Sequence, residues 1–320
     1  MSLAMSIITF IAGLLVLTGG AHCFVQGAVR LAERLRVSRF LVGLTVVALG
    51  TSTPELFFDL TAVTHDAVDL AFGDLVGSNI ANIGLILGVA MLVSPIEVHL
   101  RLMRVELQFV LAISAGLWAL AADGVISRLD GFVLWIGFGG FLVYLTHGAR
   151  QVAQQVRAES ERTASPNWSA LRSLLALGVG LVGLFFGARF MVSAATEIAR
   201  DLGVSELLIG LTIVAIGTSL PEFATSIMAA LRNELDITVG NVLGANLINI
   251  ALIMGSVVQV RPLPVHPESV AIDLPVMLGL VLLLMLLVAR RSWLTRRSGS
   301  LLVGAYVAYI ALKIVNVPAA

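Results

Sequence analysis

The sequence predicts an all-α, polytopic membrane protein: ten transmembrane helices arranged as two inverted five-helix repeats, with both termini outside. Three observations carry that prediction. The chain of 320 residues is 58% hydrophobic and only 12% charged, with a mean hydropathy of +0.98, whereas a soluble domain carries roughly 25% charged residues. Its apolar runs have helical length, about 20 residues each, rather than the alternating ten-residue pattern of an outer-membrane barrel. Finally, "GLTVVALGTSTPE", ending at Glu55, returns as "GLTIVAIGTSLPE", ending at Glu222.

The ten segments lie near 5–28, 40–63, 71–93, 105–122, 129–147, 169–195, 207–230, 238–260, 270–289 and 300–316, with Pro, Asp, Asn and Arg clusters between them. The first lacks a basic leader and a small-residue cleavage site, so it reads as a span and not as a signal peptide. The longest polar stretch predicts a linker over 149–170, dividing the chain into a first repeat at 1–148 and a second at 171–320. Arginines on connections one, three, five, seven and nine, from Arg30 and Arg34 to Arg296 and Arg297, make up fifteen of the twenty basic residues. Cytoplasmic connections carry the excess of Lys and Arg, so these five and the linker are predicted inside. Net charge is zero, which gives no field for nucleic acid. The single cysteine, Cys23, excludes an internal disulfide and reads as a small apolar core residue.

The repeat extends beyond the opening motif at a constant offset of 167: ten of the fourteen residues of 42–55 recur in 209–222, and eight of the sixteen of Gly73–Gly88 in Gly240–Gly255. Five spans is an odd number, so the second copy must enter the membrane from the opposite face. Inverted repeats are characteristic of secondary transporters, whose substrates sit near the midplane between the copies. Duplication retained for packing alone would not require Gly-Thr-Ser-x-Pro-Glu twice.

A carboxylate within a span costs roughly 3 kcal/mol, so Glu55 and Glu222 must face a cavity or a partner. The only interior basic residue near either motif is Arg189, whose counterpart is His22; one arginine cannot serve two symmetric glutamates, and a cation from solution is the better partner. Pro54 and Pro221 offer no N–H to the carbonyls four residues back, which predicts a break in each span and exposed carbonyl oxygens. Thr51 and Thr218 place hydroxyls beside those breaks, although back-bonding to their own helix is the alternative. Ser78 and Asn82 share one helix face, and Asn249 is the counterpart of Asn82. Asn79 and Asn246 lie to one side, either bonding the broken backbone or playing a structural role. Gly73, Gly77, Gly84 and Gly88 read as a helix-packing surface. The collected ligands are hard oxygens without a His or Cys cluster, which disfavours zinc, copper and iron and suits Ca²⁺ or Na⁺ better than Mg²⁺.

The paired signatures "GTSTPE…GSNIAN" and "GTSLPE…GANLIN" resemble the calcium/cation antiporter superfamily, specifically its prokaryotic sodium/calcium exchanger branch, and the ten-span layout extends the resemblance over the whole chain. Proton/calcium exchangers of that superfamily usually carry Gly-Asn before the acidic residue. The resemblance implies an antiporter and not an enzyme, in a bacterial inner membrane, with no cofactor and no obligate protein partner beyond the lipid bilayer. It implies that Glu55 and Glu222 bind both Ca²⁺ and Na⁺, that Thr51, Thr218 and the carbonyls of Ala48 and Ala215 add ligands, and that the first and sixth helices slide to expose the site alternately. Ala245 stands where a second serine is usual and Asn249 where many relatives carry Asp, which leaves a Ca²⁺/H⁺ antiporter as the alternative. Asp59, one turn beyond Glu55, is expected in an aqueous vestibule, with an extra cation or proton site as the other reading. No hydrolase motif is present, and a passive channel would not need inverted repeats.

Overall fold

The computed structural model describes residues 3–97, 100–160, 168–202, 215–290 and 293–316. The chain is an integral membrane protein, all-α apart from two short strand pairs. Its helices are α1 (Leu3–Leu35), α2 (Arg39–Thr64), α3 (Val68–Val93), α4 (Leu100–Leu120), α5 (Arg128–Ser160), α6 (Ala170–Asp201), α7 (Leu220–Leu231), α8 (Leu235–Val260), α9 (Ser269–Ala289) and α10 (Arg296–Asn316). Among the described residues, nine helices are long and apolar enough to cross a membrane, and α7 is shorter. The span expected over 207–230 begins among residues 203–214, which lie outside the described residues. Helix α5 runs past the expected end of its span at 147, into the stretch read as a linker.

Two compact units form, one from Met1–Phe58 with Leu142–Gly244, the other from Asp59–Phe141 with Ala245–Ala320. In the first, α1 and α6 pack antiparallel with their backbones in contact. A Cβ on Gly13 would meet Met191 N at 2.8 Å, one on Gly20 would meet Leu184 N at 2.6 Å, and one on Gly27 would meet Leu177 N at 2.8 Å. Small residues permit this approach where lipid supplies no hydrophobic drive between helices. Leu17, Ala21, Phe24, Val25, Leu177 and Leu184 fill the buried seam. Ile7, Ile8, Ile11 and Leu15 on α1, and Leu171, Leu175 and Val179 on α6, stay exposed, as lipid-facing positions require.

A second glycine contact in this unit presses α2 against the start of α8. A Cβ on Gly240 would lie 2.4 Å from Phe40 O, and one on Gly244 would lie 2.3 Å from Leu44 O. The expected break at Pro54 is absent: Ala48–Thr64 is continuous α-helix with Pro54 inside it. Thr51 and Thr53 direct their hydroxyls at carbonyls of the preceding turn, at Val47, Ala48 and Leu49, none of which is the Gly50 carbonyl that Pro54 leaves without its N–H. The irregularity falls instead at Gly43–Val47, which is π-helical. The second copy is interrupted, though one residue earlier than proline alone dictates: a single turn at Ala215–Thr218 is followed by Ser219, and α7 starts at Leu220 with Pro221 in its first turn.

In the second unit, α3 packs on α10 and α5 on α8, again through glycine. Gly88 faces Val303 and Gly299, and Gly255 faces Trp135 and Gly131. β1 (Ile96–Glu97) pairs antiparallel with β4 (Trp293–Leu294), and β2 (Val125–Ile126) with β3 (Leu263–Pro264). Both α3 and α8 contain π-helical segments, at Asn82–Leu87 and Ile248–Met254.

Candidate cation site

In the first unit the structure brings the two glutamates into one network. Glu55 and Glu222 are fully buried. Ser219 Oγ donates to Glu55 Oε1 at 3.0 Å, and Ser52 Oγ donates to Glu222 Oε1 at 3.2 Å. Ser219 is Ser52 plus 167, and Glu222 is Glu55 plus 167. Each repeat therefore lends its serine to the other repeat's glutamate. The two serines were missed at the sequence level, although a signal was present. Ser-x-x-Glu is the spacing of a capping box, in which the serine would cap its own helix. Ser219 makes no such cap bond, because its hydroxyl is turned to Glu55. Glu222 sits in the first turn of α7, where the helix dipole favours an anion.

Thr51 lies one turn before Glu55 and is fully buried. Its hydroxyl reaches Val47 O at 3.2 Å, Ala48 O at 3.3 Å and Asn241 Oδ1 at 3.2 Å. The single hydroxyl proton is shared among these three acceptors, so back-bonding within the helix competes with the bond to Asn241. Asn241 Nδ2 in turn donates to Ser226 Oγ at 3.0 Å, and Thr238 Oγ1 donates to Ser226 O. Ala48 is buried, Thr218 is half-buried, and Ala215 opens the single turn before the interruption. Arg189 is exposed on α6.

The second unit gathers the asparagines. Asn82 Nδ2 donates to Asn246 Oδ1 at 3.0 Å, Asn246 Nδ2 to Asn79 O at 3.2 Å, and Asn79 Nδ2 to Leu75 O at 2.7 Å. Asn79 thus bonds its own helix, while Asn246 bonds the backbone of a neighbour. Ser78, Asn82 and Asn249 are all buried. The amide of Asn249, and the amide oxygen of Asn82, have no hydrogen-bond partner among the described residues. A buried amide left so costs about 1–3 kcal/mol, and such groups in native proteins call for an explanation. Ala245 is fully buried and brings no oxygen to the position that corresponds to Ser78.

Asp59 departs from expectation. It is fully buried rather than in a vestibule, with its carboxyl against that of Asp74, which is also buried. Their counterparts are Ser226 and Asn241, a neutral pair that hydrogen-bonds directly in the first unit. Two carboxylates have only acceptors to offer one another, so this contact needs a proton or a cation.

Comparison with known proteins agrees over nearly the whole chain. The family model described as sodium/calcium exchanger protein matches residues 5–147 and 172–315. The inner membrane protein YrbG of Escherichia coli is 37% identical over 310 residues, covering 94% of both chains. The sodium/calcium exchanger MaX1 of Methanosarcina acetivorans is 30% identical, covering 94% of this chain and 96% of that one. A structure of the sodium-calcium exchanger NCX_Mj, soaked with 2.5 mM Na⁺ and 0.1 mM Ca²⁺, superposes with a TM-score of 0.81 at 35% identity, covering 96% of this chain and 98% of that one.

Proposed function

The chain belongs to the sodium/calcium exchanger protein family, and from that premise we propose that it exchanges Ca²⁺ for Na⁺ by alternating access at a site centred on Glu55 and Glu222. The family makes it a cation antiporter and not an enzyme. One observation supports the choice of site: the two fully buried glutamates are cross-linked by Ser52 and Ser219 in a reciprocal pattern. Burying two carboxylates in one site is costly. A mobile cation offsets that cost, and Ca²⁺ matches their combined charge. Ca²⁺ and Na⁺ both take hard oxygen ligands, so they compete for the same carboxylates and cross in turn.

Thr51, Thr218, Ser78, Asn82, Asn249 and the carbonyls of Ala48 and Ala215 are the further ligands of this proposal. The partnerless amide oxygens of Asn82 and Asn249 favour that role for them. Each side chain is neutral, so the charge balance rests on the glutamates. The close backbone contact of α1 and α6 supports their moving as a single body across the rest of the molecule. The bacterial inner membrane is the proposed location.

The test is Ca²⁺ uptake by Glu55→Gln and Glu222→Gln in Na⁺-loaded proteoliposomes. Each variant is expected to lose exchange, and near-normal uptake by either overturns the site. A second reading, Ca²⁺/H⁺ exchange, is favoured by the contact between Asp59 and Asp74, which can hold a proton. Its signature is Ca²⁺ uptake driven by a pH gradient without Na⁺.

A further inference from the structure

The two glutamates sit on different helices, α2 and α7, and something other than the transported ion must hold those helices in register between cycles. The serine cross-bonds end on the carboxylates themselves and so belong to the ion site. Asn241 is placed differently. Its Oδ1 accepts from Thr51 on α2, four residues before Glu55, and its Nδ2 donates to Ser226 on α7, four residues after Glu222. The bridge therefore ties the two helices one turn away from each carboxylate, through donors and acceptors that are not carboxylates.

Its own footing is firm. Asn241 is almost fully buried, on the stretch of α8 between Gly240 and Gly244 where the backbone touches α2. No side chain could be inserted at either glycine without moving α2, so the amide cannot drift from Thr51. Thr238, nearly one turn earlier on α8, fixes the Ser226 end through its backbone carbonyl. Each partner can satisfy its end of the amide, the threonine as donor and the serine as acceptor, which sets the amide's orientation.

We propose that Asn241 is a positioning residue that sets the separation of the Glu55 and Glu222 carboxylates, and thereby the preference for a divalent over a monovalent cation. This rests on the reading that these glutamates carry the ion. Ca²⁺ needs both carboxylates at coordination distance, about 2.3–2.6 Å, at the same time. A Na⁺ ion balances a single carboxylate and is less sensitive to their spacing. Loosening the bridge should therefore weaken Ca²⁺ far more than Na⁺.

The experiment measures half-saturating Ca²⁺, half-saturating Na⁺ and maximal exchange rate for wild type, Asn241→Ala, Ser226→Ala and the double variant in proteoliposomes. Asn241→Ala is expected to raise half-saturating Ca²⁺ about tenfold, the scale of one or two lost hydrogen bonds, with half-saturating Na⁺ within about twofold. Ser226→Ala should shift Ca²⁺ in the same direction by a smaller factor, and the double variant should be no worse than Asn241→Ala, since both act through one bridge. A merely structural role would lower the maximal rate and leave the ratio of the two affinities unchanged. An unchanged ratio in both single variants overturns the role; if Asn241→Ala does not fold, Ser226→Ala alone decides it. Wild type without Na⁺-coupled Ca²⁺ flux overturns the function and this role with it, whereas wild-type flux with unchanged variant ratios overturns the role alone.

Discussion

Glu55 and Glu222 were legible because a carboxylate in an apolar run is expensive and its exact recurrence at a fixed offset rules out accident. The hydroxyls were harder to read. Serine and threonine in membrane helices usually bond their own backbone, and Thr51 does so while also reaching Asn241. Ser52 and Ser219 instead reach across to the opposite glutamate, and the direction a hydroxyl turns is decided by which helix lies opposite. Local sequence does not carry that information. The reciprocity itself gives a prediction. Ser52→Ala and Ser219→Ala each remove one hydrogen bond to a charged group, about 1.5–3 kcal/mol. Each should raise half-saturating Ca²⁺ by at least about tenfold, and the two factors should agree within about twofold. A large effect from one serine and none from the other would contradict a symmetric site. The burial of Asp59 was missed for a related reason: the sequence shows its neighbours along the helix, whereas Asp74 belongs to the next helix.

At the level of elements, nine of the ten spans read from hydropathy fall on helices of membrane-crossing length among the described residues. Their internal irregularities were less legible. Proline predicts a break by freeing the carbonyl four residues back, yet Ala48–Thr64 stays helical through Pro54. In the second copy, with the same Gly-Thr-Ser-x-Pro-Glu pattern, the helix is interrupted at Ser219. Of the glycine surface expected on α3, Gly84 and Gly88 meet a neighbouring helix while Gly73 and Gly77 have nothing within 4 Å, and the most extensive glycine contact joins α1 and α6. Two neighbours on α6 test that contact. A methyl on Gly180 would lie 2.5 Å from Phe24 N, whereas Gly178 has nothing within 4 Å. Gly180→Ala should lower stability by about 1–3 kcal/mol through overpacking and slow exchange. Gly178→Ala should be neutral in both, as read by thermal unfolding in detergent and by transport. Equal behaviour of the two variants would show that the α1–α6 contact is not tight.

For the molecule as a whole, the internal sequence repeat made the candidate site readable from one chain. A fixed offset of 167 pairs every motif residue with a counterpart, so differences between the copies stand out: Ser78 against Ala245, Asp59 against Ser226, Asp74 against Asn241. How the helices sort into compact units was not readable, because each unit takes helices from both halves of the chain. The arginine distribution predicts both termini outside, and single cysteines introduced near residues 3 and 316, with Cys23 replaced, should react with an impermeant thiol reagent added to intact cells. Protection of either one would reverse the assigned orientation.

The central claim is that buried glutamates exchange Ca²⁺ for Na⁺. Its most direct test is isotopic Ca²⁺ uptake into proteoliposomes loaded with Na⁺ and diluted into Na⁺-free buffer at constant pH. Uptake that depends on the trapped Na⁺ and disappears in Glu55→Gln is the predicted result. Uptake that ignores Na⁺ and follows an imposed pH gradient would contradict it.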